Sequence, residues 1–349
     1  MSRLRVGIIG FGRIGAEHAA WLGKTEGAAA AAVADATPAR RELAAARGLR
    51  VVDHLDALLT DPEIDAVLVS SPTAMHFEHA SAALSAGKHV MVEKPLAMDL
   101  AQSRALVEQA ERTGRVLSVF HNRRWDIDYL TVGSAVASGV LGKVFNVESR
   151  LGQFASCVGP AAREYRPGWR NEAAFGGGGL YDWGSHFIDQ IWRLLWPARP
   201  LRVFAQLRHN IWSSDCDDFA RVLIDFDSGA VALVEINTTT TVPLPRWRMD
   251  GTAGSASAPH SSSFDTGVWA DLRFTPAAGG DARVLPRAAA GFNEPEIWAR
   301  FAAAVAGNGP PAVTARSVLP TMRLLDAARQ SSERGTVISF DPIDFRVDL

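Results

Sequence analysis

The sequence predicts an α/β chain in two parts, a doubly wound parallel sheet followed by a second α/β domain on an open, mostly antiparallel sheet. Three observations carry this. Strand and helix patterns alternate up to about residue 122, and such alternation builds a parallel sheet with helices on both faces. The first strand runs through Gly10-Phe11-Gly12-Arg13-Ile14-Gly15 into a helix. After Arg123 the texture shifts to strand-like stretches separated by turn signals. The reading divides the chain into 1–122 and 123–349.

In the first part, Leu4 to Ile9 is an apolar strand and Arg13 to Lys24 a helix. Ala28 to Ala34 is a weak, alanine-rich strand ending at Asp35. Pro38 to Gly48 reads as a helix, with proline in its first turn and glycine at its end. Asp65 to Val69 is a buried strand. The helix through His79 to Ala86 stops at Gly87, before the strand His89 to Val92. The helix Leu100 to Arg112 ends at Gly114, and Val116 to Phe120 closes the series.

In the second part a helix is expected from Asp182 to Trp196. Strands are expected over Leu201 to Leu207, Phe219 to Phe226, Ala230 to Thr239 and Arg246 to Asp250, with Asp227-Ser228-Gly229 as a turn. Together they make a mostly antiparallel sheet with a helix packed on one face. Residues 253–266, rich in Ser, Ala and Gly, read as a mobile loop. Helices at about 294–306 and 315–334 and a strand Thr336 to Phe340 finish this domain or pack back across it. Nine of the ten tryptophans fall after residue 122; large aromatics in a sheet domain more often form core or subunit interface than a sugar platform.

Bulk properties exclude several classes. An apolar fraction of 47% and a charged fraction of 21% over 349 residues suit an ordinary globular protein of two domains. The net charge of −2 and the lack of a basic block give no footing for nucleic acid. Cys157 and Cys216 are too few for a disulfide framework or thiolate metal site. No apolar run reaches about 18 residues, and the N-terminal strand is too short for a signal core. The expectation is a cytoplasmic protein with no membrane partner.

The glycine turn is the first chemical signal. Gly10 permits the tight bend, Gly12 lets backbone approach a pyrophosphate, and Gly15 allows close helix–strand packing. Asp35 follows about 20 residues later at a strand end, where it would bond the adenosine ribose hydroxyls and repel a 2′-phosphate. Arg40 and Arg41, one helical turn on, are either phosphate ligands or exposed helix charges. Ser70-Ser71-Pro72-Thr73-Ala74-Met75-His76 follows another strand where a cofactor crevice should open; His76 reads better as a helix-start residue than as a base.

Lys94 lies at the C-terminal end of a strand, the edge at which open parallel sheets bind ligands. With Glu93 before it and Pro95 after it, it reads as a positioned amine able to donate to a substrate hydroxyl. Asp182 and His186 stand four residues apart on a helix start and share one face. Asp189 continues that face and is expected to orient the imidazole. Imidazole suits removal of a hydroxyl proton as hydride leaves carbon. The pair lacks a third ligand at metal spacing, so no metal is expected.

The glycine turn, Glu93-Lys94-Pro95 and Gly178-Gly179-Leu180-Tyr181-Asp182-Trp183-Gly184-Ser185-His186 together resemble the glucose–fructose oxidoreductase/inositol dehydrogenase/rhizopine catabolism family (Gfo/Idh/MocA). That resemblance implies an N-terminal Rossmann domain and catalysis by Lys94, Asp182 and His186. It also implies a cis peptide before Pro95 and homodimers or homotetramers formed through the open sheet. His121-Asn122-Arg123-Arg124-Trp125-Asp126 and Tyr165-Arg166-Pro167-Gly168-Trp169-Arg170 resemble the subgroup containing NADP-dependent scyllo-inositol dehydrogenases. Asp35 departs from that subgroup, which carries a small hydroxyl residue beside an arginine. NAD is therefore the expected cofactor, with NADP the alternative.

On this reading the cofactor contacts are Gly10, Phe11, Gly12, Arg13, Ile14 and Asp35, then Ser71, Pro72, Thr73 and His76, then Glu93, Lys94 and Asn122. Arg123, Tyr165, Trp169 and Arg170 join Lys94, Asp182 and His186 around the substrate. The expected activity is hydride transfer between nicotinamide and a secondary hydroxyl or ketone of a cyclic polyol or sugar. Two competitors stand beside it. One is a nucleotide or sugar sensor without turnover, for which a proton relay is superfluous. The other is a glycosidase that uses held NAD in a transient oxidation.

Overall fold

The computed structural model describes residues 3–157, 168–259, 268–341 and 345. Its first sheet contains β1 (Leu4–Ile9), β2 (Ala28–Ala34), β3 (Arg50–Val52), β4 (Ala66–Val69), β5 (His89–Val92) and β6 (Leu117–Val119). All are parallel, in the order β3-β2-β1-β4-β5-β6. That is the Rossmann order, and its ligand crevice opens where the winding reverses between β1 and β4. Buried valine, leucine and isoleucine fill β1 and β4, as a sheet covered on both faces requires. The alanines of β2 have little strand preference, but β1 and β3 pair with the strand on its two sides.

Helices α1 (Arg13–Lys24), α2 (Pro38–Ala46), α4 (His76–Ser85) and α5 (Leu100–Thr113) cover the sheet. The α5 helix begins at Asp99, which accepts from the Gln102 amide, and ends at Gly114 with φ +62°, both standard terminators. The short β3 and the five-residue α3 (Leu55–Leu59) were not foreseen, being too brief to show a period. Leu58 of α3 nonetheless lies against β1: a Cβ on Gly7 would come within 2.8 Å of it.

The second sheet contains β7 (Val144–Gly152), β8 (Pro200–Arg208), β9 (Phe219–Phe226), β10 (Val231–Asn237), β11 (Trp247–Gly251), β12 (Gly254–Ala258), β13 (Arg273–Pro276), β14 (Arg283–Val284) and β15 (Ile338–Ser339). Its order is β14-β13-β12-β11-β7-β10-β9-β8-β15. Only the β7–β10 pair is parallel. The central β7 escaped the sequence reading because a polar residue, Ser149, occupies one of its inward positions; Arg246 donates to it there.

Residues 254–258, expected in a loop, instead form β12, paired with β11 and β13. Small residues suit this place, since a Cβ on Gly254 would meet Thr275 O at 2.4 Å and the Phe274 ring at 2.7 Å. The rest of that expected loop, 260–266, lies outside the described residues.

One face of this sheet carries α6 (Ile127–Ala137), α7 (Ser185–Leu195) and α9 (Leu319–Arg334). The expected helix from Asp182 splits into a π-helical turn, Leu180–Gly184, and α7. The last helices divide their roles. While α9 packs on α7 and β8, α8 (Glu294–Val305) returns to α1 and β2 of the first sheet. Ile297, Trp298 and Phe301 of α8 therefore share a core with Val6, Ile8 and Leu22. The tryptophans likewise divide: Trp192, Trp247 and Trp298 are fully buried, whereas Trp169 borders a cavity.

Candidate active site

A cavity of about 420 Å³ opens at the C-terminal edge of the first sheet and reaches the segment leading into α7. The glycine turn forms one wall. Gly10 has φ +89°, and a Cβ there would lie 2.9 Å from the Ser71 amide; one on Gly15 would lie 2.2 Å from Gly10 O. Around Gly12 the nearest atom to such a Cβ is Arg40 Cζ at 4.0 Å, so the approach is open. The first turn of α1 has no side-chain cap and no acid. Its amides and dipole thus favour an anion, which fits a pyrophosphate.

Arg13 and Ile14 line this wall, whereas the Phe11 side chain is fully buried. The Phe11 amide donates to Asp35 Oδ2 at 2.6 Å, and the Thr37 amide donates to Oδ1 at 2.8 Å. Asp35 and Arg40 both face the cavity, with Arg40 Nη1 3.7 Å from Oδ2. Arg41 is bound elsewhere, its Nη1 donating to Asp35 O at 2.8 Å. Asp35 thus shapes the turn through backbone amides while also lining the cavity.

Ser71, Pro72, Thr73 and His76 line the next stretch. Ser71 Oγ lies 2.9 Å from His79 Nδ1. The His76 ring sits between two carbonyls, Pro95 O at 2.8 Å and Ser71 O at 3.0 Å, and burial lowers its pKa. It ties this loop to the Lys94 turn, whose Lys94–Pro95 peptide is cis. Asn122, Arg123 and His186 lie outside the lining of this cavity, and Asn122 Nδ2 turns to Glu294 at 3.4 Å, where α8 arrives.

Lys94 Nζ donates to Asp182 Oδ1 at 2.9 Å and to Asp182 O at 2.8 Å. Arg170 Nε stands 3.6 Å from the same Oδ1, and its guanidinium lies over the Trp169 ring at 4.4 Å. Burial opposes ionisation of Asp182, but Lys94 and Arg170 outweigh it and hold the carboxyl below its usual range. The π turn inserts extra backbone ahead of α7, a common device at functional sites. Asp217 anchors it, Oδ2 accepting from the Leu180 amide at 2.8 Å.

His186 lies in the first turn of α7, buried, with its ring edge-on to His121 at 5.5 Å. Burial, then Lys94 and Arg123, push its pKa well below the ordinary value, so the ring is neutral at physiological pH. Its Nδ1 has no hydrogen-bond partner among the described residues. The expected orienter, Asp189, is committed elsewhere. Arg124 donates to both its oxygens at 2.7 Å, and Thr321 donates to Oδ1 at 2.9 Å. A buried guanidinium demands a carboxylate more strongly than a neutral imidazole does. Arg123 lies 3.5 Å from Asp126 and over the Trp183 ring at 4.7 Å. Tyr165 lies outside the described residues.

Several supporting residues were missed in the sequence. Buried His121 has its pKa lowered to about 4 by desolvation. Arg246, fully buried, lies over the Phe187 ring at 3.8 Å and donates to Gln190 Oε1 at 2.7 Å, so it braces α7 from below. Asp128 stands 3.2 Å from it. The available signal for His121 was its place at a strand's C-terminal edge; Arg246 carried none. Among the described residues, no cluster of three His, Cys, Asp or Glu side chains is placed to hold a metal, and no helix is long and apolar enough to cross a membrane.

Comparison with known proteins finds two models of one family along the chain. The oxidoreductase family described as GFO_IDH_MocA, NAD-binding Rossmann fold, matches residues 4–121, and the GFO/IDH/MocA C-terminal domain matches residues 129–257. The chain belongs to the GFO/IDH/MocA family. Myo-inositol 2-dehydrogenase of Thermotoga maritima is 31% identical, over 66% of this chain and 68% of its own. The scyllo-inositol 2-dehydrogenase (NADP(+)) IolW of Bacillus subtilis is 32% identical over 50% of this chain and 47% of its own. A solved structure, an NAD-binding protein from Listeria innocua, superposes with TM-score 0.85 at 28% identity, covering 97% of both chains. The chain spans 46 to 60% of the length of five curated relatives it matches, that of Bacillus subtilis among them. The first half is thus an NAD-binding Rossmann domain of the GFO/IDH/MocA family.

Proposed function

We propose that this protein is an NAD-dependent oxidoreductase acting on a secondary hydroxyl or ketone of a cyclic polyol or sugar of the inositol type. The observation that carries the reading is the 2.9 Å contact of Lys94 Nζ with Asp182 Oδ1 on the wall of the dinucleotide cavity, with neutral His186 one turn along. NAD, when bound, supplies the nicotinamide carbon that accepts or returns hydride. The chain's residues do the rest. Asp182 holds the Lys94 ammonium in place, and that ammonium polarises the substrate oxygen. The unprotonated His186 ring takes the hydroxyl proton during oxidation and returns it during reduction. Arg123, Trp169 and Arg170 are assigned to the substrate wall. Trp169 and Arg170, stacked on each other, present a flat face and N–H donors suited to a ring bearing hydroxyls.

The resemblance of the chain to two inositol dehydrogenases supports the substrate class. Monitoring nicotinamide reduction with inositols, aldoses and glycosides tests it; the expected result is turnover with an inositol or sugar, and inertness across the panel would overturn it. We further assign the protein to the cytoplasm, with both cysteines free. We also assign it a homo-oligomeric state through the uncovered face of the nine-stranded sheet. There Phe145, Leu223 and Val231 are exposed, an uneconomical arrangement for a monomer. Light scattering at micromolar concentration checks that assignment.

A further inference from the structure

Glu93 precedes the lysine of the site, lines the cavity, and has a side chain only 10% exposed. Its Oε1 lies 2.8 Å from His18 Nε2, and its Oε2 accepts from the Lys94 amide at 3.1 Å. His18 is fully buried in α1, boxed by the rings of Trp21, Phe120 and Trp298. The Trp298 indole N–H donates to His18 Nδ1 at 3.0 Å. Indole nitrogen can only donate. His18 Nδ1 must therefore offer a lone pair, Nε2 carries the proton, and the ring is the neutral tautomer that donates to Glu93. A helix from the far end of the chain thereby decides the protonation of a histidine beside the cofactor cavity.

The consequence is electrostatic. Around Asp182, two cations, Lys94 and Arg170, meet one carboxylate, leaving one net positive charge. Glu93 has hydrogen-bond partners that are neutral, an imidazole and an amide, while the Lys94 ammonium acts on it through space. Burial opposes its ionisation, but the bond from His18 together with the nearby Lys94 charge and amide outweighs this and holds the carboxyl below its usual range. The other histidines nearby, His76 and His121, are also shifted toward the neutral form by burial.

Position supplies the target. Asp35 follows β2 and Glu93 follows β5, three strand spacings apart in the sheet, or about 14 Å. With the adenosine ribose at Asp35, the nicotinamide end of a dinucleotide falls at Glu93 and Lys94. Oxidised nicotinamide carries a positive charge and reduced nicotinamide does not.

We propose that Glu93, hydrogen-bonded by the Trp298–His18 pair, shifts this protein's dinucleotide preference toward the oxidised form. This rests on the NAD-site reading of the cavity. A ligand shifts an equilibrium only by its differential interaction with the two states, so the diagnostic quantity is the ratio of two affinities. Direct titration of the whole purified chain with NAD+ and with NADH, in the absence of substrate, measures that ratio. In Glu93→Gln the affinity for NAD+ is expected to fall about tenfold while that for NADH stays within about twofold.

Trp298→Phe keeps the ring packing but removes the indole donor that commits His18 Nδ1 as an acceptor, so the ring is no longer held to the tautomer that donates to Glu93. It is expected to move the ratio in the same direction by a smaller factor. Equal weakening of both forms would reduce Glu93 to a ribose or structural contact and overturn the proposal, as would an unchanged ratio. Should Glu93→Gln not fold, the ratio in Trp298→Phe decides by the same criterion. Failure of the native protein to bind either form would instead remove the NAD-site reading, and the proposal with it.

Discussion

Around the glycine turn the cavity wall is largely backbone; around Lys94 and Asp182 it is largely charged side chains. In the first region Gly10, Gly12 and the opening of α1 leave amides facing inward, and Asp35 is itself held by two amides. In the second, Lys94 meets Asp182 from 88 positions away and Arg124 meets Asp189 from 65. The difference teaches how each is read. A backbone-built anion site needs only turn chemistry and a helix start, both local. A side-chain-built site depends on which distant partner neutralises each buried charge, and this decides what remains available for chemistry.

The sharpest way to break the comparison is to test whether the side-chain half carries rate and not cofactor affinity. Lys94→Ala and His186→Ala are each expected to lower kcat by about 10² to 10⁴-fold, with NAD affinity measured by titration nearly unchanged. Near-native turnover in either variant removes that residue from the proton path. Next is the support beneath it. Asp189→Ala strands the buried Arg124 guanidinium, whose side chain is 6% exposed. Removing one partner of such a pair costs about 3–5 kcal/mol, to be read from chemical denaturation. A change below about 1 kcal/mol, the range of surface pairs, would mean that Arg124 finds water.

A third test probes the backbone half at the carboxylate of Asp35. Asp35→Ser removes the carboxylate that would meet a 2′-phosphate, leaving Arg40 at the same end of the cavity. The ratio of catalytic efficiency with NADP to that with NAD is expected to rise about 10- to 100-fold, the equivalent of one charged hydrogen bond. If the ratio stays put while both efficiencies fall, Asp35 acts only through the Phe11 and Thr37 amides.

The smallest expected effect lies at the junction, where Asp217 anchors the π turn. Burial pushes its carboxyl up to about 7. For an acid raised in the folded state, the native protein binds the proton more tightly than the unfolded chain. Its contribution to stability is therefore full at low pH and declines as pH rises from about 4, its ordinary value, toward 7. Asp217→Asn, which keeps an oxygen for the Leu180 amide, is expected to flatten that decline in Tm across this window. An unaltered profile would assign the slope to other groups.

Much of the fold was legible because it is written in short-range terms. The buried apolar runs at Leu4–Ile9 and Ala66–Val69, the glycine turn, and the glycine stop at Gly114 are each enforced by residues a few positions apart. The position of Lys94 after β5 follows from the same pattern, as does the helix bearing His186. What the chain could not announce locally was decided by tertiary contact. Strand β7 needs Arg246 to satisfy its inward serine, and residues 254–258 become a strand only between β11 and β13. Asp189 serves Arg124 in place of His186, and α8 crosses back to set the tautomer of His18 from 280 positions away. Periodicity and turn chemistry are properties of neighbours along the chain. The protonation and partnership of a buried polar group depend on whatever the fold brings within hydrogen-bonding distance, and no stretch of sequence carries that alone.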